Sequence, residues 1–206
     1  MSLSFTLDQY VQARIREFDQ IPPARQQQLR QLTRYIQTRK DGGQPIRLTF
    51  ICTHNSRRSH MSQLWAAAAA IHYRVPKVET YSGGTEATAF NPRAVAAMQR
   101  AGFSIDPGPE PVNPRYQVHC GPGAAPQICF SKRFDAEPNP DADFCAVMTC
   151  TDADANCPVV PGAAERLALP FEDPKAFDGT PEEAQRYDER CAQIARELLF
   201  VFANVR

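Results

Sequence analysis

Apolar residues recur at helical spacing through residues 5 to 40. Tyr10, Val11, Ile15 and Phe18 mark the first stretch, and Leu29, Leu32, Tyr35 and Ile36 mark a second beyond Pro22-Pro23. Asp41-Gly42-Gly43 stops that pattern, and the period then changes. Ile46 to Ile51 is a β-rich run suited to a buried parallel strand. Met61 to Tyr73, with five consecutive alanines, predicts a helix. Val78 to Tyr81 predicts a second strand ending at Gly83-Gly84, and Asn91-Pro92 opens a helix that runs to Gly102. Residues 106 to 126 are rich in proline and glycine and read as an irregular loop. Ile128 to Phe134, Phe144 to Cys150 and Leu167 to Leu169 read as further strands. Thr180 is expected to cap a final amphipathic helix with Tyr187, Cys191, Ile194 and Leu198 on one face. Strands alternating with helices predict a parallel sheet covered on both faces. Residues 1–43 read as a helical extension packed on a single α/β domain, residues 44–206, because so short a segment buries little by itself.

Composition narrows the function. Twenty-three basic residues balance 23 acidic ones, so no global charge points to nucleic acid or to an acidic membrane, and any affinity for anions is local. The N-terminus turns charged within a few residues and no long apolar run follows, which predicts a cytoplasmic protein without membrane contact. Seven cysteines, an odd number in a chain of this length, argue against a static disulfide framework. With no Cys-x-x-Cys pair, structural zinc is poorly supported, and no cofactor is expected. A mixture of buried thiols and reactive thiols remains.

The segment Cys52-Thr53-His54-Asn55-Ser56-Arg57-Arg58-Ser59 joins the first core strand to the first core helix. A loop entering a helix N-terminus aims several N–H groups at one spot, and the helix dipole adds positive potential. A thiol there loses its proton readily. Arg58 can offer a planar fork to two oxygens of an anion, and Ser59 can donate its hydroxyl to the thiolate. Thr53 to Arg58 are therefore the candidate anion-binding residues. A second pair, Cys150 and Cys157, flanks a short polar linker, Thr151-Asp152-Ala153-Asp154-Ala155-Asn156, which reads as a loop, and a polar loop of this kind can rearrange to bring two thiols together.

Cys52-x5-Arg58-Ser59 at the end of the first strand resembles the phosphate loop of low-molecular-weight protein tyrosine phosphatases, whose fold the thioredoxin-coupled arsenate reductases share. The resemblance runs from residue 46 to about residue 203. It includes Tyr81-Ser82-Gly83-Gly84 with the helix after it, and Glu172-Asp173-Pro174, which looks like the acid loop. The linker between Cys150 and Cys157, and the Cys157-Pro158 that ends it, look like the reductase branch, with Asp173 sixteen residues further on. The resemblance implies a four-stranded parallel sheet flanked by helices on both faces. It implies a small oxyanion substrate, Asp173 as general acid, and a three-cysteine relay. Cys52 attacks arsenate, Cys150 attacks the arsenic-bearing Cys52, and Cys157 displaces Cys52 to leave a bridge that thioredoxin reduces.

Some positions depart from that pattern. His54 stands where the family usually has glycine, and Arg57 where a further cysteine is common. Gln63 replaces a glutamate that helps hold a structural potassium ion, which leaves Asn55 and Ser82 as a possible weak site. The aromatic residues that phosphotyrosine-specific members carry after the acid are missing. The alternative is a phosphatase working through phospho-Cys52, with Cys150 and Cys157 as a redox guard. A non-catalytic oxyanion-binding or redox-sensing module is a third reading.

Overall fold

The computed structural model describes residues 1–157 and 159–206; Pro158, part of the Cys-Pro signature, lies outside the described residues. Four parallel strands form the central sheet: β1 (Ile46–Cys52), β2 (Val78–Gly84), β6 (Phe144–Met148) and β7 (Ala163–Ala168), in the order β2-β1-β6-β7. The register runs from Ile46 opposite Val78 to Cys52 opposite Gly84, so β1 and β2 end together. The helices are α1 (Phe5–Ile15), α2 (Pro23–Asp41), α3 (Arg58–His72), α4 (Pro92–Arg100), α5 (Thr151–Asn156) and α6 (Glu183–Ala203).

Period-two alternation in the central strands splits the core in two. Cys145 and Val147 of β6 face a large apolar cluster with Leu48 and Phe50 of β1 and the buried faces of α1, α2, α3, α4 and α6. Phe144, Ala146 and Met148 face a small cluster with Ile51, Cys52, Cys150, Ala153 and Val160, roofed by α5. Both faces of the sheet are therefore covered, as parallel sheets require. Leu7, Val11, Leu29, Leu32 and Ile36 from α1 and α2 lie fully buried in the large cluster.

Four expectations need correction. Residues 106–126 are not wholly irregular: β3 (Ser104–Asp106), β4 (Tyr116–His119) and β5 (Gln127–Cys129) form a separate antiparallel sheet with Ile105, Tyr116, Val118 and Cys129 turned inward. The strand expected over 128–134 is confined to β5 and belongs to that second sheet. The linker between Cys150 and Cys157 is helix α5 rather than a loop, with the Cys150 sulfur accepting from Ala153 N–H at 3.4 Å as its N-cap. Thr180 does not cap α6; Glu182 holds that position, while the Thr180 hydroxyl closes the preceding turn onto Phe177 O. Among the described residues no helix is long and apolar enough to cross a membrane.

Candidate active site

Where β1 ends, the chain turns into a cradle of unpaired amides, and the directions of its carbonyls show how. Cys52 O accepts from Thr85 N–H, Thr53 O from Glu86 N–H at 2.8 Å, and Ser56 O from Asn91 N–H at 2.9 Å. His54 O accepts from the hydroxyls of Thr88 and Ser131. With the carbonyls drawn outward, the N–H groups are left to the concave side. None of those from Thr53 to His60 finds an acceptor among the described residues. Helix α3 starts at Arg58 without a side-chain cap, so its first amides join them. Gly84 permits the close approach of β2: a Cβ there would stand 2.6 Å from Thr53 O and 2.7 Å from Asn55 N.

The left-handed turn of the loop falls on Asn55 (φ 44°) and not on His54, so the histidine needs no glycine-like backbone. Its half-exposed ring stands 3.7 Å from Glu86 at the rim. Asn55 is fully buried, and both ends of its amide are used. Its Nδ2 donates to Ser59 Oγ at 2.9 Å and its Oδ1 accepts from Lys132 N–H at 2.9 Å. Ser59 Oγ lies 3.1 Å from Cys52 Sγ. Because Asn55 donates to that oxygen, the hydroxyl proton of Ser59 is free to point at the sulfur and support a thiolate.

Arg58 reaches across the cradle mouth. Its Nη1 donates to Phe171 O at 3.0 Å and its Nη2 to Asp173 Oδ2 at 2.8 Å. Asp173 Oδ1 accepts from Lys175 N–H, which fixes the carboxylate at the start of a short 3₁₀ turn, Pro174–Phe177. Arg57 is occupied elsewhere: Nε donates to the Tyr187 hydroxyl at 2.7 Å and Nη2 to Asp178 at 3.3 Å. Burial, with Asp178 alongside, pushes the Tyr187 phenol up to about 12, so it donates to Asp178 while accepting from Arg57.

All seven cysteines are free thiols. Cys52 and Cys150 are buried in the small cluster and Cys157 packs against it, partly buried. Thr53 Oγ1 lies 3.5 Å from Cys150 Sγ, a direct link between the cradle and the second thiol. Arg166 of β7 braces the far end of α5, donating to Cys157 O at 3.0 Å and to both the carbonyl and the carboxylate of Asp154. The other four cysteines, Cys120, Cys129, Cys145 and Cys191, belong to the large cluster. Burial pushes Cys120, Cys129 and Cys191 up to about 12, and Cys145 further still.

The residues considered for potassium do not suit a cation. Asn55 Oδ1 is engaged by Lys132 N–H, and the Ser82 hydroxyl meets His60 Nδ1 at 3.1 Å. His60 is held well below the ordinary histidine range by burial and by the Lys132 ammonium, so a positive charge already acts on this spot. Gln63 turns its amide to Gln127 in the second sheet.

No protein-family model matches the chain. It is 30% identical over 155 residues to an arsenate reductase of Bacillus subtilis, covering 75% of this chain and 93% of the relative. The chain belongs to the arsenate reductase family. A second member, from Shouchella clausii, is 34% identical over 134 residues, covering 65% and 78%. The fold is shared with a low-molecular-weight phosphotyrosine phosphatase of Vibrio cholerae (TM-score 0.50, 14% identity, 75% and 93% coverage). Several residues of this family member's site escape a sequence reading. Tyr187 and Asp178 sit 130 and 121 positions from the Arg57 they hold, and the donor to Asn55 is a backbone amide at Lys132. Arg166 carries no motif at all. Only the Asn55 turn leaves a signal, since asparagine tolerates positive φ.

Proposed function

We propose that this chain reduces arsenate to arsenite through Cys52, Cys150 and Cys157, with thioredoxin as the reductant. The observation that carries the reading is the partition of the cysteines: these three share the small cluster beside the cradle, and the other four lie in the large one. The curated relatives named above are arsenate reductases.

In this mechanism the Cys52 thiolate attacks arsenic(V) in the cradle, and an oxygen leaves as water with a proton from Asp173. The Cys150 thiolate then attacks the Cys52 sulfur. The S–As bond breaks, its electron pair stays on arsenic, and arsenite departs as a Cys52–Cys150 disulfide forms. Cys157 attacks Cys150, expels the Cys52 thiolate and leaves a Cys150–Cys157 bridge; a dithiol on thioredoxin reduces it. Arg58 meets the charge on the arsenate oxygens, exchanging Asp173 for the substrate. The reading takes residues 1–43 as an extension of a catalytic domain spanning 44–206, working in the cytoplasm where reduced thioredoxin is maintained.

One structural consequence follows. Cys150 and Cys157 cap opposite ends of the six-residue α5, and seven steps at the helical rise put their Cα atoms ~10 Å apart. A disulfide needs about 4.4–6.8 Å, so α5 must unwind for the bridge to close.

The test is arsenate-dependent NADPH oxidation with thioredoxin and thioredoxin reductase, beside p-nitrophenyl phosphate hydrolysis. Cys157→Ser is expected to stop the first and spare the second. A second reading, phosphomonoester hydrolysis through phospho-Cys52, draws on the shared phosphatase fold and the adjacent Arg58 and Asp173. It predicts efficient hydrolysis indifferent to Cys157 and no arsenate turnover.

A further inference from the structure

The N-terminal helices do more than cover apolar surface, because one of their side chains reaches the segment that holds Arg58. Arg25, in the first turn of α2, is largely buried. Its Nε donates to Glu197 Oε2 of α6 at 2.8 Å, and Glu197 is itself 2% exposed. Its Nη1 donates to Gln28 Oε1 at 3.0 Å. Its Nη2 donates to Pro170 O at 3.2 Å, and its guanidinium lies 4.9 Å from the centroid of the Phe171 ring. Phe171 is the residue whose carbonyl accepts from Arg58 Nη1, and Asp173, two positions on, accepts from Arg58 Nη2.

The segment from Leu169 to Asp173 has few other restraints. Beyond the end of β7 it is tied to the sheet by Leu169 N–H to Met148 O and Phe171 N–H to Thr149 O. Pro170, between them, has no N–H, so its carbonyl is the one polar backbone handle at that position. Arg25 takes that handle and covers the adjacent ring, while Glu197 fixes the guanidinium plane. We propose that Arg25 is a positioning residue for the oxyanion site: it sets the Pro170-Phe171 backbone, and through the Phe171 carbonyl it sets the angle at which Arg58 presents its fork. The N-terminal extension thereby acts on anion affinity without touching the anion. This rests on the reading of the cradle as an oxyanion site.

Arg25→Lys keeps a cation beside Glu197 but cannot hold the Pro170 carbonyl and cover Phe171 in one plane. Arg25→Gln with Glu197→Gln removes the buried charge pair altogether, so neither variant leaves Glu197 ionised and alone. The probe is inorganic phosphate, read by its protection of Cys52 from iodoacetamide, with thermal unfolding as the control for folding. Misplacing a group by an ångström costs up to ~100-fold. Both variants, still cooperatively folded, are expected to need roughly 10- to 100-fold more phosphate for half-protection. The decisive arm repeats Arg25→Lys in an Arg58→Ala background, where the loss should vanish because the intermediary is gone. An equal loss in both backgrounds, or unchanged protection in the folded single variant, overturns the positioning role while leaving the cradle intact. A wild-type protein that phosphate does not protect overturns the oxyanion reading and this proposal with it.

Discussion

The cradle loop and the Cys150–Cys157 segment follow neighbouring strands of one sheet, yet they are held in opposite ways. The carbonyls of Cys52, Thr53, His54 and Ser56 are drawn outward by donors from the β2–α4 connection and Ser131, and Asn55 is bonded at both ends of its side-chain amide. Helix α5 has six residues, of which only Ala153 is buried, and its far end depends on one arginine. Helices this short are marginal without tertiary support. The contrast matches two chemical demands. An anion cradle works by presenting donors that need no rearrangement when charge develops. A thiol pair that must first lie apart and then bond works only if the segment between can open at modest cost.

Breaking the two regions separately should give different signatures. The largest effect is expected from Cys52→Ser, which should take both arsenate reduction and p-nitrophenyl phosphate hydrolysis to background, whereas the Cys157 substitution described above spares hydrolysis. Steady-state rates for the two substrates check this.

Arg166→Gln should act on the relay alone. Hydrogen bonds from a charged donor contribute about 1.5–3 kcal/mol. Arg166 is a quarter exposed, and solvent screening lowers that figure. At ~1.4 kcal/mol per decade, opening of α5 should become about tenfold easier. Bridge formation between Cys150 and Cys157 under mild oxidant, followed by alkylation and mass spectrometry, should speed up by a similar factor. Loss of accessible phosphate-protected Cys52 would show that Arg166 also supports the cradle, contrary to the comparison.

The smallest effect on either reaction is expected at Lys132, whose side chain stands over Phe130 and whose backbone amide anchors Asn55; there the readout is stability. Burial pulls its pKa down to about 8. Below that pH the lysine is charged in both the folded and the unfolded chain, and the full burial cost applies. As pH rises from 8 toward the ordinary lysine range, the unfolded chain still binds the proton and the folded one does not, and the cost disappears. Stability should therefore rise across that window, by about 3 kcal/mol in the limit. Lys132→Met should flatten the rise and raise the unfolding temperature at pH 7, as thermal melts between pH 7 and 10 would show.

What was legible in the chain follows from how local each signal is. The β1 run, the alanine-rich α3 and the Cys52-x5-Arg58 loop are contiguous, and their patterns carry their structure. The second sheet leaves little trace in the sequence, because β3, β4 and β5 have three or four residues each, set among prolines and glycines, and their pairing is decided by distant partners. Helix α5 leaves no helical signature, because its six residues, four polar and two alanine, present no apolar stripe; a sulfur cap and Arg166 hold it instead. In the site, Arg58 and Asp173 are 115 positions apart, and only family spacing linked them. Nothing in the sequence joins Arg57 to Tyr187 or Arg25 to Phe171, since those contacts exist only once α6 and α2 have packed.

A fixed cradle beside a segment that must melt leaves a signature that disulfide mapping and hydrogen exchange can read in a single sample. The reduced protein would be given a single turnover of arsenate without thioredoxin, then quenched, alkylated and mapped for disulfides. Amide hydrogen exchange would be followed over residues 53–60 and 151–156 in the same sample. The expected result is a Cys150–Cys157 bridge, with protection lost across 151–156 and unchanged across 53–60. A product in which those two cysteines remain free, or a bridge formed while 151–156 keeps its protection, would contradict it.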